Sequence, residues 1–172
     1  MPDKILVAYA SRLGSTAGVA EAIGKTLMEN GAEVEVRRME DVSDLTPYGA
    51  VVAGSAIRGK QWLPEAMQFL QQNQAALRQK PFAAFLVCMT LGMKNGEKYR
   101  SHVASFLDPV RALVKPVSTG LFAGVLDIGK IESFSNRLKF RLSVMFGVWQ
   151  EGDHRDWNAI REWATSLDPL LR

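Results

Sequence analysis

KILVAYASRLGST (Lys4–Thr16) joins an apolar run to a turn of small and polar residues, and a helical pattern starts directly after it. The run is short, apolar and bounded by turn residues, so Lys4–Ala10 reads as a buried strand. Ser15 or Thr16 caps a helix reaching about Glu29, with Val19, Ala20, Ile23, Leu27 and Met28 as its apolar stripe. Asn30–Gly31 is a helix stop.

The same unit recurs outward from this stretch. Glu33–Met39 alternates like an edge strand with one solvated face. Gly49–Ile57 is a buried strand, followed by a helix from Pro64 to about Arg78. Pro81–Met89 is another buried strand, followed by a helix from Glu97 to about Val114. Val117–Leu126 is the fifth strand, and a last helix runs from Asp156 to about Leu167. Continuous apolar strands joined by helices predict a parallel sheet covered on both faces. Right-handed crossovers make it a three-layer, doubly wound α/β fold. The chain reads as one domain, 1–172, with an insert at about 127–155, far longer than an ordinary connection.

Composition narrows the class. With 47% hydrophobic and 23% charged residues the chain has the balance of a globular protein. Cys88 is the only cysteine, so no internal disulfide forms, and His102 and His154 lie too far apart for a zinc spacing. No metal ligands are expected. The N-terminal apolar run is too short for a secretory signal, and no stretch spans a bilayer, so a cytoplasmic location is expected. A net charge of +3 is too small to argue for nucleic acid.

In a sheet of this kind, ligands bind outside the carboxyl ends of the strands, where the strand order reverses. The turn after the first strand reads Ser11-Arg12-Leu13-Gly14-Ser15-Thr16. Gly14 permits a tight turn, Ser11, Ser15 and Thr16 offer hydroxyls, and the following helix start offers free N–H groups: a phosphate cradle. No G-x-G-x-x-G or G-x-x-x-x-G-K-[ST] is present, which excludes the dinucleotide and nucleoside-triphosphate loops. The third strand runs into GSAIRGKQW and the fourth into VCMTLGMKNGE, two more glycine-containing turns on the same sheet edge. Trp62 is either a ring-stacking residue or packs on Leu63 or Phe69. Cys88 reads as an inert core thiol, His102 as solvated, and His154 as part of a helix start capped by Asp153 or Asp156.

With these residues in place, the chain resembles the flavodoxin superfamily over nearly its whole length. The resemblance implies a five-stranded parallel sheet in the order 2-1-3-4-5 and non-covalently held FMN. It implies that Ser11, Arg12, Leu13, Gly14, Ser15 and Thr16 form the phosphate loop. Ser55, Ala56, Ile57 and Arg58 would border one side of the isoalloxazine ring, and Met89, Thr90, Leu91 and Gly92 the other. No catalytic residue is implied. Arg12 is either a cation for the phosphate or a solvated loop charge; Arg58 either holds an anionic group or is a surface charge. GSAIRGKQWLPEAMQFL and DWNAIREWA are further similar to flavodoxin-type, menaquinone-dependent protoporphyrinogen oxidases, a group that also has a long insert before the last helix. This implies an FMN-dependent oxidoreductase passing electrons to a quinone, with a porphyrin substrate. The alternative is an electron-transfer module shuttling electrons between protein partners. A basic chain departs from acidic flavodoxins that dock soluble partners.

Within the insert, Ile131, Phe134, Leu138, Leu142, Met145, Phe146 and Trp149 fall on one helical face, while Lys130, Arg137, Lys139 and Arg141 supply cations. Gly147 is expected to weaken the last turn. Three readings stand: a helix packed on its own domain or on a second subunit of a homodimer; contact through 130–150 with a membrane, peripherally on its inner face, or with a hydrophobic substrate; or disorder.

Overall fold

The structure, a computed structural model, describes residues 3–172. Along the chain the elements are β1 (Ile5–Ala10), α1 (Ser15–Glu29), β2 (Val34–Arg38), β3 (Ala50–Arg58), β4 (Gln61–Trp62), α2 (Pro64–Gln72), α3 (Gln74–Leu77), β5 (Phe82–Val87), α4 (Arg100–Ala104), α5 (Asp108–Leu113), β6 (Ser118–Phe122), β7 (Val125–Leu126), α6 (Phe134–Met145), β8 (Gly152–Asp153) and α7 (Trp157–Leu171). Five strands pair in parallel in the order β2-β1-β3-β5-β6. This is the expected 2-1-3-4-5 order once β4, a short hairpin partner of β3, is set aside.

Alternation along the strands feeds two cores. Leu6 and Ala8 of β1 join Phe69 and Leu70 of α2, Leu77 of α3, Val103 of α4 and Val110 of α5 on one face. Ile5 and Val7 join Val19, Ala20, Ile23 and Leu27 of α1 with Ile160, Ala164 and Leu167 of α7 on the other. Both faces being covered, the central strands are apolar throughout, whereas β2 at the edge is only half-buried. The three-layer α/β architecture is as the sequence predicts.

Three elements differ from expectation. The helix from Pro64 stops at Asn73, whose side-chain amide donates to the Phe69 carbonyl at 2.9 Å, and α3 restarts beyond it. The helix expected over 97–114 divides into α4 and α5, because Pro109 has no N–H to continue the ladder and sits in the first turn of α5 instead. The fifth strand is split: β6 stays in the main sheet, while β7 leaves it to pair antiparallel with β8. That small ribbon closes the base of the insert. Asp156 is the cap of α7, accepting from the Ala159 N–H at 3.0 Å.

Candidate functional site

The strand order reverses between β1 and β3, since β2 leaves to one side of β1 and β3 lies on the other. The crevice beyond the carboxyl ends of these strands is the topological place for a ligand. Ser11–Gly14 after β1, the β3–β4 hairpin and Met89–Gly92 after β5 all lie at this edge.

The first turn is shaped by its own residues. Gly14 takes φ 90°, ψ −10°, a left-handed conformation that costs an L side chain energy and glycine none. Its N–H donates to Ser11 Oγ at 3.0 Å, so the Ser11 hydroxyl holds the turn closed. α1 then begins at Ser15 with no side-chain cap and no acidic residue in its first turn. Its leading N–H groups therefore have no partner inside the helix. Beside them Thr16 is fully buried, and its Oγ1 has no hydrogen-bond partner among the described residues. An uncapped helix start next to an orphaned buried hydroxyl is a built place for an anion with several oxygens. Arg12 points to α2 and pairs with Glu65 at 3.1 Å, while Leu13 is exposed.

The second and third turns present mainly backbone. Ser55 is buried: its Oγ donates to the Ala56 carbonyl at 2.8 Å and accepts from the Leu63 N–H at 3.0 Å. The hydroxyl thus fastens β3 to the start of α2. Ile57 and Arg58 belong to a strand, paired with Trp62 and Gln61 across Gly59 and Lys60, rather than to a loop. Both turn residues take positive φ, the requirement of a type I′ hairpin. Trp62 is 1% exposed and lies in the core, so the packing reading of this residue is the one the structure gives. Met89, Thr90, Leu91 and Gly92 form one 3-10 turn, all half-buried. None of the residues in the three turns carries a carboxylate, imidazole or thiol. These three turns can bind and orient a group; they carry no acid or base of their own.

A fourth segment reaches this edge that sequence reading passed over. The His154 N–H donates to the Gly124 carbonyl at 3.1 Å, and its ring lies so close to Gly92 that a Cβ there would sit 3.0 Å from it. Arg155 is mostly buried, forks onto both oxygens of Asp153 and stacks on Trp157 at 4.5 Å. Its Nη1 also donates to the Ser15 carbonyl at 3.3 Å, across a sequence separation of 140. The fork holds the Asp153 carboxyl below its ordinary range. Gly18 on α1 makes room for this guanidinium, since a Cβ there would come within 2.5 Å of Nη1. The only trace of all this in the sequence is the polar EGDHRD run.

Comparison with known proteins agrees with this geometry. The family model described as flavodoxin domain matches residues 6–153. Among solved structures, a short-chain flavodoxin associated with a non-canonical PDU bacterial microcompartment aligns over 100% of both chains at 13% identity and TM-score 0.63. The Streptococcus pneumonia TIGR4 flavodoxin aligns over 96% of this chain and 98% of its own at 16% identity and TM-score 0.60. Flavodoxin 1 from Bacillus cereus covers 84% of this chain and 99% of its own at 18% identity and TM-score 0.52. No curated protein matches. The likeness to these structures is one of fold, and the family match spans the three turns and the insert as far as Asp153. The chain belongs to the flavodoxin-domain family.

Proposed function

We propose that the chain binds FMN at the three turns and carries electrons between redox partners. The observation that supports this reading most strongly is the start of α1, where uncapped N–H groups and the orphaned Thr16 hydroxyl stand on the first turn after the first strand. A phosphate monoester of about −1.5 to −2 charge satisfies both together. Ser15 and Thr16, with the first-turn N–H groups, hold the phosphate, and Ser11 keeps the turn closed through Gly14. The backbone of Ala56–Arg58 and of Met89–Gly92 flanks the ring and orients it. Bound there, FMN supplies the electron-transfer chemistry, and the protein supplies binding, orientation and access. The test is the visible absorbance of the purified protein with the extracted cofactor identified. A colourless protein that takes up no added FMN overturns the proposal.

A narrower reading is an oxidase of the protoporphyrinogen type, passing electrons through FMN to a quinone. The exposed apolar residues of α6, on an insert rooted beside the same sheet edge, favour a hydrophobic partner. Quinone-dependent oxidation of protoporphyrinogen supports the oxidase. Reduction by a flavodoxin reductase without such turnover supports the carrier.

A further inference from the structure

The insert carries a helix whose apolar face is left uncovered by the described residues. No residue of α6 is buried. Phe134, Met145 and Phe146 are 73%, 73% and 79% exposed, with Leu138, Leu142 and Val148 also exposed. These are six of the ten exposed large hydrophobic residues among the described residues. At helical spacing, Phe134, Met145, Leu138, Leu142 and Phe146 form one stripe about a third of the circumference wide. The half-buried residues Arg137, Phe140 and Val144 lie on the opposite side.

Charge follows the stripe. On the helical wheel Arg141 borders it on one side and Lys139 on the other. Lys130, Arg137, Lys139 and Arg141 against Glu132 give residues 130–150 a charge of +3, which is the whole net charge of the chain. The remaining 17 cations and 17 acids balance, from totals of 21 and 18. The helix is also locally specified. Ser133 Oγ caps its start on the Asn136 N–H, and Gly147, at φ 76°, closes its end with N–H bonds from Gly147 to Val144 and from Val148 to Ser143. This is a Schellman motif, so Gly147 terminates the helix rather than weakening it.

We propose that α6 lies on an anionic lipid surface, with its stripe in the acyl boundary and Lys139 and Arg141 reaching to the headgroups on either side. A second copy of the same helix would bring +3 against +3, whereas an anionic surface complements it. Twelve residues rise about 18 Å, too short to cross a bilayer, so the helix lies in the plane. The proposal does not rest on the flavin reading.

The test is co-sedimentation of the full-length protein with phosphatidylcholine vesicles, with and without phosphatidylglycerol. Binding is expected only with phosphatidylglycerol and is weakened by salt. K139Q/R141Q should lower partitioning about 25-fold, about five-fold for each cation. F134S/L138S should abolish it at unchanged charge. These side chains are exposed, so circular dichroism and flavin content of the variants should match the parent. Absence of sedimentation, or equal sedimentation with both vesicle types, overturns the proposal. So does a solution dimer that F134S/L138S dissociates and vesicles leave intact, or capture by an acidic protein with no vesicle binding. Flavin absorbance in the same fractions keeps failure of the cofactor reading separate.

Discussion

Helices α1 and α6 are written in much the same way and end up in opposite places. Each carries apolar residues at helical spacing, and each ends on a glycine in the left-handed region, Gly31 and Gly147, with the N–H bonds of a Schellman motif. In α1 the stripe of Val19, Ala20, Ile23 and Leu27 is fully buried against the sheet and α7. In α6 the stripe faces outward. Periodicity therefore reveals that a helix has a face; the sheet topology decides whether anything is opposite it. The contrast breaks most directly by truncation. Ile23→Ala should cost about 2–5 kcal/mol in urea unfolding, because it leaves a cavity in a covered core. Leu138→Ala should stay within about 0.5 kcal/mol. Equal costs would mean that α6 packs on the body and that the two helices do not differ.

The helix starts differ as sharply as the faces. Ser133 caps α6 and Asp156 caps α7, while α1 has no cap and an unpartnered Thr16 hydroxyl. A start left open in this way is expected to be closed by a ligand. Thr16→Val keeps the shape and removes the hydroxyl. It should leave the unfolding midpoint of the cofactor-free protein unchanged or slightly raised, since none of the described residues bonds that oxygen. FMN affinity, measured by flavin fluorescence quenching, should fall about ten- to a hundred-fold, the effect of losing one hydrogen bond to a charged group. Unchanged affinity would show that the phosphate is held elsewhere. Ser133→Ala provides the counterpart at α6. Loss of that cap should cost about 1 kcal/mol of local helix stability, read as faster amide exchange over 134–145 with FMN affinity unaltered.

The same contrast explains what was readable in advance. The alternation of strands and helices, the turn after β1 as the place for a ligand and the stop at Asn30–Gly31 depend on local pattern, so the sequence alone carried them; the strand order came only through the resemblance to flavodoxins, and Asp156 was one of two aspartates that could cap α7. The helix breaks at Asn73 and Pro109 were missed because apolar spacing runs straight through both. Ile57 and Arg58 were read as loop residues, yet two positive-φ residues at Gly59–Lys60 extend them into a hairpin. The net charge looked like a mildly basic surface, although residues 130–150 hold all of it. Arg155 was out of reach for a different reason. Its contact with Ser15 spans nearly the whole chain and exists only once the insert has returned to the sheet edge.

That return contact gives the smallest and most specific prediction. Arg155 joins the two regions being compared, because it touches the first turn of α1 and pairs with Asp153 at the foot of the insert. The hydrogen bonds from Arg155 lower the Asp153 pKa in the folded protein relative to the unfolded chain. A lowered carboxyl pKa contributes stability that is fully present above the unfolded value, about 3.9, and is lost as pH falls through the folded value. Asp153 is 43% exposed, so solvent screening limits the pair to about 1 kcal/mol or less. The stability difference between the parent and Asp153→Asn should therefore be constant from about pH 5 to 7 and shrink below about pH 4. Glu35 and Asp44 also have lowered pKa values, but they are common to both proteins and cancel in the difference. Limited proteolysis within 130–150 should quicken in Asp153→Asn at neutral pH if the fork anchors the insert. A difference that persists undiminished at pH 3 would mean that the carboxylate charge plays no part, and that Arg155 is held by its bond to the Ser15 carbonyl and its stacking on Trp157.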